Sequence, residues 1–532
     1  MYENLVDRDS NSFWKIWSSI NKADSSLVTR IDGETDPQGI ADCFSRFFET
    51  VYSNHDTTQH NAMKNDFTHC FSSYYSDHID DNICPYYLTG SDMFEIVKKV
   101  KLGKASSGFL RPEHLFNGSP KLVEHLHFLF NSMIQHRFVP TDFLRGSITP
   151  IFKNSDRDDV SDSSFYRGIT LSSLPAKLFE FAIQRKISHL LGTDDLQFGF
   201  KTATSTSHAL YTLKSTVDFF TSRGSMVFVS FLDCTKAFDR VSHFGLFSKL
   251  MERKVPLCLL LCLIFWYLNM ISNVKWSSKT SGDFEVPLGM KQGGINSPEF
   301  FSVYVDGLIR LLRARRIGCH IFHLFLAVIL FADDICLLAP SRAVLADMMS
   351  ICESYCDRHC LTFNSKKSKV MVFGRKVVSS FAPIKLNGSM IDYVDKICYL
   401  GTTIVNGPSL SFSATDDLCS FYRASNSILN VLNKPDEIIS MKLLFTNCVP
   451  VISYACAIKE YSSREMSNCN VAINDAIRKI FSFKRSESVR ELREFCGYDS
   501  IYEIFFKAKQ KFQSSLIKHR NSIISSLAVI LT

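Results

Sequence analysis

Two adjacent acids inside an apolar stretch are the first residues in this chain that call for chemistry. Asp333 and Asp334 follow AVILFA and precede ICLLA, so the pair sits at the tip of what reads as an apolar β-hairpin. Like charges held together there are costly unless something cationic offsets them, and a divalent metal is the natural candidate. Four other Asp-Asp pairs, at 80/81, 158/159, 194/195 and 416/417, lie in polar, turn-like surroundings, where solvated loops account for them. Asp233 closes a second apolar run, MVFVSFL, just before a helix-compatible segment. If the two runs are neighbours in one sheet, Asp233 and Asp333 converge at its edge. Carboxylates so placed can hold two Mg²⁺ ions, one activating an attacking hydroxyl and one stabilising leaving pyrophosphate in an in-line transfer. Taken alone, Asp233 fits a helix-capping aspartate equally well.

The elements that must position these acids follow from periodicity and punctuation. Helices are expected at Ile40 to Val51, Ser91 to Val100, His114 to Arg137, from LSSLPAKLFE onward, at about Ser297 to Arg316 and at Arg342 to Arg358. RGSITPIFK, MVFVSFLD, KVMVFG and IKLNGSMI read as strands, the stretch from Ser53 to His60 as turn-rich, and Asn154 to Ser164 as a loop. After Gly407 the pattern is mostly helical. Strands interleaved with helices and then a helical tail imply an α+β body with an all-α appendage.

Other chemistries find little support. Cys352, Cys356, His359 and Cys360 are the clustered metal-type ligands, but their spacing is wrong for a zinc knuckle and a helix would spread them, so core thiols are the better reading. Seventeen cysteines occur without one CxxC pair, which suits reduced, buried side chains. Gly103-Lys104-Ala105 lacks the flanking residues of a phosphate-binding loop. Neither GxSxG nor HExxH is present.

The 532 residues, 46% hydrophobic and 21% charged, can build a large core and leave no room for general disorder. Net charge is +7, and residues 441–532 hold 14 Lys+Arg against 8 Asp+Glu, so the excess lies almost wholly in that last part. A basic end on a near-neutral body suggests a polyanion lying along it. Pro256 to Met270 is apolar but too short for a membrane span, and a buried helix is expected. No signal peptide is visible in MYENLVDRDSNSFW, so a soluble intracellular protein with no membrane partner is expected, in cytoplasm and nucleus.

FLDCTKAFDRV, GMKQGGINSP, FADDICLL, LTFNSKKSKVMVFG and YLGTTI occur in that order, preceded by LGKASSGFLRPEHL, ITPIFKN, FYRGITLSSLPAKLFE and QFGFKTATSTSHAL. Together they resemble the motifs of reverse transcriptases of LINE-type (non-LTR) retrotransposons, over roughly Phe94 to Ile404. The resemblance implies a right-hand polymerase: an N-terminal extension at 1–90, fingers at 91–225, a palm with an antiparallel sheet at 226–405, and a helical thumb at 406–532. It implies an RNA template, a DNA primer and dNTPs as partners, and two Mg²⁺ as cofactor, with Mn²⁺ a possible substitute. The implied catalytic and metal-binding residues are Asp233, Asp333 and Asp334, the last as a ligand or as support to the other two. Lys367 falls where the family has a lysine near the leaving pyrophosphate, with Lys366 and Lys369 beside it as rivals. Phe238 matches a steric gate against the ribose 2′-OH, Gln292 and Gly293 the turn against the incoming nucleotide, and Lys153 and Arg167 the grip on its triphosphate. Asp239 reads as a helix N-cap. Lys484, Arg485, Arg490, Lys507 and Lys511 would neutralise duplex phosphates along the thumb.

The chain departs from the family at GFLR, where an Asp is usual, and at Gly168, where RGITL replaces RPITL; both loosen the fingers in this reading. The endonuclease expected upstream in a full-length element is not recognisable, so the chain reads as a fragment or truncated copy of a longer polyprotein. The alternatives are a catalytically decayed copy that only binds nucleic acid, and an RNA-templated RNA polymerase, against which Phe238 argues.

Overall fold

The computed structural model describes residues 30–53, 57–78, 86–153, 159–375, 381–431 and 436–531. The N-terminal segment, the Asp80-Asp81 pair, and residues 154–158 of the loop expected at 154–164, Asp158 among them, lie outside them. Helices and sheets alternate through the body, which is the α+β arrangement the pattern implies. No helix among the described residues is long and apolar enough to cross a membrane. The apolar run Leu257–Leu268 is a largely buried helix, as expected.

At the centre stands a six-stranded sheet. Its key members are β3 (Val227–Leu232), β5 (Val328–Phe331), β6 (Asp334–Ala339) and β7 (Lys369–Phe373), taking β1 as Arg145–Phe152, β2 as Tyr166–Leu171 and β4 as Ile271–Trp276. β3 lies between β6 and β7 and is antiparallel to both, and β5 and β6 form the hairpin. Every residue of β3 is buried, because both faces of the sheet are covered. Phe228, Leu232, Ile335 and Leu337 point to one core cluster, together with Leu345, Met348 and Cys352 of the helix Arg342–Arg358. Val229, Phe231, Cys336 and Leu338 point to the other, against Leu210, Leu213 and Val217 of the helix Thr206–Ser222. A strand so enclosed needs apolar side chains at successive positions, which is why these runs do not alternate. A second sheet is built on β2, β1 and β4, in that order, with β1 parallel to β4. Glycine at 146 lets Thr170 and Ser272 approach its backbone.

The structure corrects several local expectations. The stretch His114 to Arg137 is two helices, Pro112–Asn117 and Pro120–His136, separated at Gly118; Ser119 caps the second and Pro120 starts it. The turn-rich stretch before His60 gives way at Thr57 to a helix reaching His78, whose Phe67 packs against Phe244 and Phe247. Two aspartate pairs expected in solvated loops are structural instead. Asp194 takes Arg313, and Asp195 accepts the Ser522 backbone N–H at 2.8 Å to start the last helix, Ser522–Leu531. Asp417 pairs at 2.7 Å with Lys459, whose side chain is 1% exposed.

Three histidines are held neutral by burial. His208, His243 and His359 are each pushed down to about 4, while an unfolded imidazole titrates near 6.5. The unfolded chain therefore binds more protons between those values, and stability is fully present above about pH 6.5 and falls as pH drops towards 4, by about 1.4 kcal/mol per pH unit for each group at most. The urea midpoint is expected to be lower at about pH 4.5 than at about pH 7.5, with a smaller difference in His359→Phe; equal midpoints at both pH values would contradict this burial.

Candidate active site

The two strongest strands of the sequence are neighbours. Ile335 pairs with Leu232 and Cys336 with Phe231, so Asp233 follows the last rung of β3 while Asp333 and Asp334 come from the turn that opens β6. That turn needs Ala332 in the left-handed region, at φ +59°. It is braced by Gln197, fully buried, whose Oε1 accepts the backbone N–H of both Gly199 and Ala332. A Cβ at Gly199 would overlap the Ala332 nitrogen. The Asp233 side is fixed as tightly: its N–H donates to Ser368 Oγ at 3.1 Å, and its carbonyl accepts from Asn364 N–H at 2.8 Å. Asn364 in turn accepts the N–H of Lys367 on its side chain. The NSKKS turn is thereby stitched to the end of β3.

Above these acids opens a cavity of about 550 Å³. Asp233, Asp333, Lys367, Lys153, Arg167, Phe238, Gln292 and Gly293 all line it. The chain thus gathers eight of the nine residues assigned to catalysis or nucleotide from six separate segments. Of the rivals at 366, 367 and 369, Lys367 is the one that lines the cavity; Lys369 turns away to pair with Asp392 at 2.6 Å. Phe238 stacks on Phe301 with centroids 4.3 Å apart and meets Phe200 edge-on, so its ring is locked at the rim.

The GMKQGG loop is sewn to both neighbours by backbone bonds. Met290 N–H donates to Phe238 carbonyl, Gly289 N–H to Val241, and the Thr170 N–H of β2 to Gln292 carbonyl, at 2.8–2.9 Å. Gly293 has φ +115°, and a Cβ there would lie 2.8 Å from the Thr170 carbonyl oxygen, so only glycine fits. The Gln292 side chain donates from Nε2 to Asp239 Oδ1 at 2.7 Å. Asp239 is therefore no helix cap; Ser242 caps the helix that follows. It is a cavity-lining carboxylate that sequence reasoning missed, because its partner is 53 residues away.

Charge is concentrated here. Burial pushes the Asp233 carboxyl up, and Asp333 adds to this, while Lys367 and Lys153 oppose it. Burial raises Asp239 to about 6 against the pull of its Gln292 hydrogen bond and of Lys236, Lys153 and Arg167. Asp334 also reaches about 6, through burial and then the charges of Asp333 and Asp233. It does not line the cavity; it shares its side of β6 with Cys336 and its charge acts on Cys336 and Tyr399, which suits support more than ligation. Among the described residues no three His, Cys, Asp or Glu side chains form a ready-made metal cage, and the cysteines of the helix Arg342–Arg358 face the core as expected. Two carboxylates with open space beside them are nevertheless a fitting share of Mg²⁺ ligands where substrate phosphates and water supply the rest.

Other assignments fall elsewhere. Lys484, Arg485, Arg490, Lys507 and Lys511 are exposed on the C-terminal helical part and away from the cavity lining. Two of them are engaged already, Arg490 with Glu494 at 2.9 Å and Lys507 with Asp499 at 2.7 Å. Helix Pro37–Tyr52, expected to be part of an extension, contributes Phe47, Phe48 and Val51 to the cavity wall. Gly168 does not loosen β2. A Cβ there would meet the Phe48 ring at 2.8 Å, so the space is filled from that helix.

A carboxylate pair therefore stands at the end of antiparallel strands, under a cavity lined by basic and aromatic side chains. Residues 153–404 match the family described as reverse transcriptase (RNA-dependent DNA polymerase). The chain is 26% identical over 391 residues to the probable RNA-directed DNA polymerase from transposon BS of Drosophila melanogaster, covering 68% of this chain and 41% of that protein. It is 22% identical to the RNA-directed DNA polymerase from mobile element jockey of Drosophila funebris, covering 83% and 49%. A solved telomerase from Candida albicans, in complex with a fragment of telomeric RNA, is similar at 13% identity and a TM-score of 0.36, covering 80% of this chain and 71% of that one. Over residues 153–404 the chain is thus similar to reverse transcriptases, and it spans less than half the length of these two polymerase relatives.

Gly293→Ala is expected to lower unfolding free energy by about 1–3 kcal/mol through the forced positive φ. Chemical denaturation measures this, and an unchanged midpoint would show that the loop does not pass so close to β2.

Proposed function

We propose that this chain is an RNA-directed DNA polymerase that extends a DNA primer on an RNA template with dNTPs. The observation that carries the reading is the convergence of eight motif residues on one cavity. In it, 91–225 act as fingers, 226–405 as palm and 406–532 as thumb, with the N-terminal helix completing the nucleotide wall.

Asp233 and Asp333 would hold divalent metal, two Mg²⁺ or Mn²⁺ in their place, with Asp334 supporting them from behind. Such ions, when bound, acidify the primer hydroxyl and offset charge on the leaving pyrophosphate. The chain's own groups do the rest. Lys153 and Arg167 grip the triphosphate, Arg167 with a fork suited to phosphate oxygens. Lys367, beside Asp233, is placed to give a proton to the departing phosphate. Phe238, immobilised between Phe301 and Phe200, blocks the space a ribose 2′-OH would need. With its Nε2 committed to Asp239, Gln292 presents its carbonyl oxygen as an acceptor towards the nucleotide. The exposed cations Lys484, Arg485 and Lys511 add sequence-blind phosphate contacts, as do Arg490 and Lys507 on exchanging their carboxylate partners.

Purified protein is expected to extend a DNA primer on RNA with dNTPs and Mg²⁺, and Asp233→Asn or Asp333→Asn to abolish synthesis while leaving duplex binding. No synthesis by the wild type, with salt-sensitive duplex binding kept, would mark a binding-only protein. In the same assay Phe238→Ala is expected to admit ribonucleotides; unchanged discrimination would remove its role as gate.

A further inference from the structure

The loop that carries Gln292 and Gly293 has a second, buried face. Lys291 lines the large cavity on one side and, on the other, a small pocket shared with Glu180 and Trp266. Glu180 stands on the helix Leu174–Ile187 and is 7% exposed. Its Oε2 accepts the Ile295 backbone N–H at 2.6 Å. Lys291 is 8% exposed, with Nζ 5.2 Å from the Trp266 ring centroid and 3.4 Å from the Phe143 carbonyl oxygen. A buried carboxylate and a buried ammonium thus meet the two ends of the segment 291–295, and neither has a part in the chemistry above. Burial raises Glu180 and lowers Lys291 to about 8, and each charge opposes the shift of the other. Packing alone does not call for such a pair, since apolar residues of similar volume are often as stable or more so. Fixing a loop that must face a ligand does call for it.

We propose that Glu180 is a positioning residue for the incoming nucleotide, acting through Ile295 and Lys291 to clamp the 291–295 loop from below so that Gln292 and Gly293 face the cavity. The inference rests on reading that cavity as the nucleotide site. Thr170 holds the loop from the β2 side and Asp239 holds the Gln292 amide; Glu180 supplies the third restraint, from a helix that touches no nucleotide. Removing its charge leaves Lys291 buried without an offsetting partner, and this isolated charge, more than a lost hydrogen bond, displaces the loop. Three consequences separate this role from general packing. Glu180→Gln raises KM for dNTP with little change in kcat. The defect shrinks as pH rises and Lys291 sheds its proton. Adding Lys291→Met, which removes both charges, restores the loop.

The test uses the full chain in two measurements. In primer extension, Glu180→Gln is expected to raise dNTP KM about tenfold with kcat within about twofold, less at about pH 9 than at about pH 7, and Glu180→Gln with Lys291→Met to return close to wild type. In amide hydrogen exchange, peptides covering 288–296 are expected to exchange at least about tenfold faster in Glu180→Gln than in wild type, with β3 unchanged. Unchanged loop exchange overturns the proposal whether or not the wild type synthesises DNA. So does a joint fall of kcat and melting temperature that the second substitution does not rescue. Faster loop exchange in a protein whose wild type makes no DNA supports the clamp and instead removes the polymerase reading.

Discussion

Asp233 and Asp333 stand side by side over the end of a strand whose every side chain is buried, and that concentration of negative charge governs the rest of the structure. Antiparallel pairing of β3 with β6 leaves the chain no freedom to move one acid away from the other. Burial, with the charge of neighbouring carboxylates added to it, pushes Asp233 and Asp334 up. Lysines on the cavity wall offset part of this. The remainder is the excess that a divalent cation would neutralise, which is the basis of the proposed metal site.

The scaffold around the acids is built from long-range backbone bonds. Gln197 braces the turn before Asp333, Ser368 and Asn364 fasten Asp233, and the GMKQGG loop is bonded to both Thr170 and Phe238. Several of the cavity-lining side chains therefore project from segments whose main chain is bonded elsewhere. That is the preorganisation a transfer reaction needs, because small errors in placement are costly in rate. The buried Glu180 and Lys291 extend the same principle one layer deeper.

Much of the site was legible in the sequence because its residues sit at punctuation marks. Apolar runs ending in acids gave the two strands and their junction, and the helix Arg342–Arg358 matched its expected bounds. What the sequence did not show are partners brought in from far along the chain. Nothing local in FSRFFETVY distinguishes Phe47 and Phe48 as a cavity wall from ordinary core, and nothing near Asp239 points to Gln292. Asp195 and Asp417 resembled solvated pairs because their partners, Ser522 and Lys459, are distant. The break at Gly118 was different: a serine cap followed by proline was readable and outweighed by helical periodicity on both sides. Gly168 departs from the family motif, yet Phe48 fills its space, so the departure reflects repacking.

The most direct test of the account is the stability of the chain with and without divalent cation, in wild type and in Asp333→Asn. Because the clustered carboxylates are the strained element, Mn²⁺ or Mg²⁺ should raise the denaturation midpoint of the wild type. Asp333→Asn should start from a higher midpoint in chelator and gain little from the cation. A wild type indifferent to both ions, or an Asp333→Asn protein less stable than wild type in chelator, would contradict the claim that these acids are held together for a metal.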